Sequence, residues 1–212
     1  MTANEIIGSL VYRTNNALNG NQKFLDAIKK YYFHDAVVSD DKLHLWHFPG
    51  TAQEISHVFQ ALSKDALIGS QLKFPAMLNF QGVIQEHKPD MVWMRFNLAI
   101  VSPVLSEWTT QQREEQVYRL VLKPIEDEFI RQVGRFKLFL IPLGDIQYTS
   151  VYIPTTGRAL NSIMKVQYGD FLDVIELPNF VIKVLPICDA MSEVLIYESK
   201  KVTDEIKNLV KK

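Results

Sequence analysis

A lone cysteine, Cys188, excludes an internal disulfide. Flanked by Pro186, Ile187 and Ala190, it reads as a small buried hydrophobe. An excess of charge is also missing. The 23 Lys and Arg residues nearly balance 24 Asp and Glu, for a net charge of -1, so no large field draws the protein onto nucleic acid or an anionic membrane. No apolar run reaches the ~18 residues that a membrane span requires. The first twenty residues carry Glu5, Arg13 and several Asn where a signal peptide would place an apolar core, so neither export nor membrane insertion is expected. Nine glycines are scattered singly, with no Gly-x-x-x-x-Gly-Lys to cradle a phosphate. Internal repeats and low-complexity stretches are absent as well.

What remains is a chain of 212 residues, 47% of them hydrophobic, enough to bury one core in a single domain spanning 1–212. Apolar spacing predicts a helix over residues 4–18 (Ile6, Ile7, Leu10, Val11, Leu18) and a second short one through Phe24, Leu25, Ile28, Tyr31 and Tyr32. Residues 1–70 thus form a possible N-terminal helical subregion. "KLHLWHFPG" alternates like a strand closed by Pro49 and Gly50. Thr51 and Glu54 are spaced as a capping box ahead of a helix bearing Ile55, Val58, Phe59 and Leu62. "LKFPAMLNFQG" and "DMVWMRFNLAIVSP", separated by "EHKPD", predict two antiparallel strands; in the second, Val92, Met94, Phe96, Leu98 and Ile100 form the core face. A Thr109-x-x-Gln112 box starts a long helix whose stripe runs from Val117 to Val133, with a kink or break expected near Leu120 to Pro124. "RFKLFLIP" reads as a strand. Residues 142–169 read as a long arm or loop, then come one or two strands split by Pro178, and Thr203 caps a last short helix. The order is α+β, a mainly antiparallel sheet flanked by two to four helices.

Candidate chemistry is sparse. His44 and His47, three apart on a strand, point to opposite faces and do not chelate together. His57 lies off the apolar stripe of its helix, and His34 beside Asp35 has no evident nucleophile to activate. Asp170, Asp173 and Glu176 carry the oxygen ligands Mg²⁺ prefers, but strand parity separates the last two. They are most simply a turn residue and two edge charges that discourage stray pairing. Pro89-Asp90 with the later Glu198-Ser199-Lys200 is the loose outline of a metal-dependent nuclease, with about a hundred residues between its halves. Trp108 is a lid on the core or an interface anchor. Tyr148, Tyr152 and Ile153 lie in a long connection of the kind that orders against a neighbour.

Lys73, Phe74 and Pro75 opening a sheet, Arg113, Tyr118, Leu122, Pro124 and Ile125 on a Pro-interrupted helix, and Asp173, Ile175, Glu176 and Asn179 on a late strand form a recurrent layout. Over about residues 71–185 it resembles the neck and tail-completion proteins (tail-terminator-like or ring proteins) of tailed bacteriophages. The resemblance implies a structural virion protein and not an enzyme, with no cofactor, metal or catalytic residue. It would assemble in the host bacterial cytoplasm into a homo-oligomeric ring in the head-tail connector or at the top of the tail. Its partners would be identical subunits and portal, adaptor or tail-tube proteins, with no membrane and no sequence-specific nucleic acid. Trp108, Tyr148, Tyr152 and Ile153 are the expected oligomer or partner interface. Apolar residues on both faces of several strands support the same role independently, since something must cover the second face. A metal-dependent nuclease and a cytoplasmic protein-interaction module are the alternatives.

Overall fold

The computed structural model describes residues 2–31, 38–39, 42–64, 74–89, 91–105, 107–136, 146–154, 172–185 and 193–202. Its first element is set by chemistry in the opening residues. The Thr2 hydroxyl accepts from the Glu5 N–H while the Glu5 carboxylate accepts from the Thr2 N–H, a reciprocal cap that starts helix α1 (Ala3–Asn19). Helix α2 (Gln22–Tyr31) follows after Gly20. The predicted strand after it is two pieces. β2 (Lys42–Leu43) pairs with β1 (Val38–Ser39), while β3 (Trp46–Gly50) joins the main sheet. The Asn19 side chain binds both the N–H and the carbonyl of Leu43, holding that break against α1.

Helix α3 (Ala52–Lys64) begins at the expected Thr51–Glu54 box. It connects β3 to β4 (Ala76–Lys88), which run parallel. The predicted hairpin is present as β4 and β5 (Met91–Pro103), antiparallel with a register shift between Phe80 and Ile84. The long helix has three parts: α4 (Thr110–Arg113), a π-helical stretch (Glu114–Leu122) and α5 (Lys123–Arg135). The chain does not break at Pro124. The Lys123 N–H bonds five residues back to the Tyr118 carbonyl, so the bonding pattern changes where the proline lacks a donor and its ring would crowd the Leu120 carbonyl of an α-helix. β6 (Val151–Ile153), β7 (Leu172–Val184) and helix α6 (193–202) complete the described chain.

The sheet order is β3-β4-β5-β7-β6, antiparallel except for the β3–β4 pair, so the α+β class with a mainly antiparallel, helix-flanked sheet holds. Pro178 does not split β7. Here the strand is bulged: Asn179 takes φ 51° and its N–H donates to the Asn97 Oδ1. The bulge changes parity, so Ile175 and Leu177 before it and Phe180 and Ile182 after it all face one core.

That main core joins one sheet face to α1, α2, the long helix and α6 through Ile6, Leu10, Ile28, Phe96, Val121, Phe129, Phe180 and Leu195. A second, smaller core covers the opposite face under α3. Phe59 meets Phe48 and Phe74 edge to face, at 4.8 and 5.3 Å between centroids, above Leu78, Val101 and Val174. The predicted strand 135–142 beyond Arg135 and Phe136, the Thr203 cap and most of the 142–169 connection lie outside the described residues.

Candidate interaction surfaces

The Thr109–Gln112 box forms as expected, with both reciprocal bonds present. It fixes the first turn of α4 so that Arg113 points inward, where it is 5% exposed. Its Nε donates to the Trp108 carbonyl at 3.2 Å, and its Nη1 faces Asp173 Oδ1 at 3.4 Å. Asp173 is fully buried, and its other oxygen accepts from the Tyr152 hydroxyl at 2.7 Å. Tyr152 also lies 4.5 Å from the Tyr118 ring. Burial pushes the Tyr152 pKa up, and the hydrogen bond to Asp173 and that carboxylate's charge add to the rise. The phenol therefore stays a hydrogen-bond donor at neutral pH. A guanidinium, a carboxylate and a phenol closed on one another in this way pin α4, β6 and β7 together.

Asp173 and Glu176 are accordingly not edge charges. β7 lies between β5 and β6, and the two acids are 0% and 6% exposed. They point to opposite faces, as parity requires, so they do not form a common oxygen site. Of the expected interface residues, Trp108, Tyr148 and Tyr152 are half-buried against the main core, with Tyr148 edge to face on Phe180 at 6.1 Å. Burial raises the Tyr148 pKa as well. Ile153 is half-buried at the end of β6, beside Val174. The structure brings Trp108 and Tyr152 together around Arg113, while Tyr148 sits further along the helix near Lys123 and Glu126.

The other candidates are occupied or apart. His44 stacks on Trp46 at 5.9 Å. His47 is buried beneath α1, with its Nδ1 3.3 Å from where a side chain on Gly8 would begin. Its Nε2 has no hydrogen-bond partner, and burial lowers its pKa to about 4. His57 is exposed on α3. Both Glu198 oxygens are engaged: Arg13 binds them at 2.9 and 3.0 Å, and the Ser9 hydroxyl donates to one. Lys200 is exposed. No group of three or more His, Cys, Asp or Glu is placed to hold a metal among the described residues. His34, Asp35, Asp90, Asp170 and Cys188 lie outside them.

A surface that sequence reasoning missed lies at the far end of the sheet. Beyond the bulges, only β4, β5 and β7 remain among the described residues, because β3 pairs with Ala76–Phe80 and β6 with Val174–Glu176. The main-core face of this ribbon is closed by Met94, Phe96, Phe180 and Ile182. The opposite face carries Ile84, 56% exposed, with half-buried Met91, Trp93 and Val181. Lys183 and Lys88 lie over the Trp93 ring at 4.6 and 5.7 Å, and Arg95 pairs with Glu86 at 2.9 Å. The signal was the mixed face Met91, Trp93, Arg95 and Asn97. It could not be placed without knowing how far α3 reaches. No known family model matches the chain, and no curated protein does.

Proposed function

We propose that this protein is a structural subunit of a tailed-phage virion. It forms a ring in the head-tail neck or at the top of the tail by binding copies of itself and by docking to portal, adaptor or tail-tube proteins. The observation that carries the reading is the β4–β5–β7 ribbon. One face is sealed by the molecule's own core, while Ile84, Met91, Trp93 and Val181 on the other face have no described element above them. Partly exposed aromatic and aliphatic residues edged by charged ones are the usual make-up of a protein contact patch.

Two further features favour assembly over catalysis. Asp173 is bound by Arg113 and Tyr152, and Glu198 by Arg13, so these carboxylates are taken up in holding the fold. Near-zero net charge lets identical subunits pack side by side without strong repulsion. Negative-stain imaging of the purified protein, alone and mixed with a portal protein, tests the reading. Closed rings are the expected particles; monomers under both conditions would overturn it.

A further inference from the structure

Each half of the sheet has its own edges. In the far half the outer edge of β4 from residue 81 and that of β7 from residue 177 pair with no described strand. These edges lie on opposite sides of one three-stranded ribbon. An exposed edge is a row of backbone donors and acceptors ready to pair with another chain. When two different edges of one molecule join, the contact is head to tail, and repeated rotation closes it into a ring.

We propose that the ring contact is a parallel strand pair in which β7 of one copy lies against β4 of the next. This inference rests on the self-assembly reading above and names the surface that reading uses. Its direction follows from the sheet: β4 and β7 both run antiparallel to β5, so they are parallel to each other. The partner is a second copy because the side chains on the two edges complement each other. Across the ribbon, Glu86, Trp93 and Lys183 form one row, and Ile84, Arg95 and Val181 the next, all on the same face. Extending these rows unshifted into a neighbouring copy sets Lys183 beside Glu86 and Val181 beside Ile84. An opposite-charge pair and an apolar pair thus meet at the seam.

Other features suit this joint. β3 and β6 occupy the edges of the near half, so the seam is confined to the levels of residues 84–88 and 181–185. Both edge strands are irregular where those outer strands stop, between Phe80 and Ile84 and between Leu177 and Phe180. A bulge bends its strand, and these two lie where the ribbon has to bend to clear β3 and β6 of the neighbour. Within one molecule Glu86 and Lys183 are separated by the whole width of β5 and by Trp93, so their direct coupling is weak. Across the seam they are adjacent.

Charge reversal separates the two situations. Full-length wild type, Glu86→Lys, Lys183→Glu and the double variant are compared by analytical ultracentrifugation over a concentration series, with thermal melts to confirm that each is folded. Either single variant places like charges side by side at every seam and is expected to raise the assembly midpoint about fivefold or more per contact. The double variant restores the pair and is expected to return to near the wild-type midpoint. Folded single variants that assemble as well as wild type overturn the seam while leaving ring formation intact. The same holds if the double variant is no better than the worse single. A wild-type chain that stays monomeric throughout the series, and also with portal protein added, overturns the self-assembly reading itself.

Discussion

The two halves of the sheet share β4, β5 and β7 and differ in what lies over them. In the near half, Ala76, Leu78, Ala99, Val101 and Val174 on the second face are fully buried under α3 and Phe74. In the far half the equivalent positions are Ile84, Arg95 and Val181, then Glu86, Trp93 and Lys183. Length accounts for the division. The 13 residues of α3 make a rod of about 20 Å, whereas the 13 residues of β5 extend to about 43 Å. The helix covers half of the strand and the sequence changes character there, from apolar apart from the buried Glu176 to apolar with charges that reach over the ring of Trp93.

The comparison is broken most severely by emptying the second core. Phe59→Ala removes the ring between Phe48 and Phe74, and urea titration should find the protein about 3 to 5 kcal/mol less stable. It is sharpened next by pH. His47 sits in the near half, neutral, with a folded pKa of about 4 against about 6.5 when unfolded. Below the unfolded value the unfolded chain binds a proton that the folded one refuses. The stabilisation present at pH 7 is therefore lost as pH falls from about 6.5 to 4, by about 3 kcal/mol in all. His47→Phe should remove that portion of the pH dependence, seen as the wild-type-minus-variant difference in unfolding free energy across the window. A smaller effect is expected from Tyr152→Phe, which deletes one hydrogen bond to buried Asp173 while Arg113 remains. About 1 kcal/mol should be lost, with the tilted contact on Tyr118 retained. Smallest is Ile84→Ser in the far half, which should leave monomer stability within about 0.5 kcal/mol by thermal melt and weaken assembly. A large loss of monomer stability would mean that this face is core after all.

Much of the local structure was legible in the residues. The Thr51–Glu54 and Thr109–Gln112 boxes, the β4–β5 hairpin and the inward face from Met94 to Ile100 all rest on interactions between residues close in sequence or on strict alternation. What escaped depends on partners far along the chain. Nothing near Arg113 announces Asp173, 60 positions later, and nothing near Glu198 announces Arg13, 185 positions earlier. The bulge at Asn179 lets one strand run on past Pro178, where the sequence reads as a split. The interior place of β7 depends on β6, a strand of three residues in what reads as loop. The π-helical stretch was foreshadowed only as a disturbance before Pro124.

The Arg113–Asp173 bond also imposes an order on synthesis. A guanidinium taken into the core without its carboxylate would be a buried unpaired charge, which is costly. The helix that begins at Thr110 is therefore expected to settle onto the sheet only once β7 has been made. At about 5 to 20 residues per second that is a wait of roughly 3 to 12 seconds on the ribosome, during which the β4–β5 hairpin can form while its third strand is still unborn. The same carboxylate that closes the fold thus acts as a timer. It withholds the packed helix until β7 is at hand.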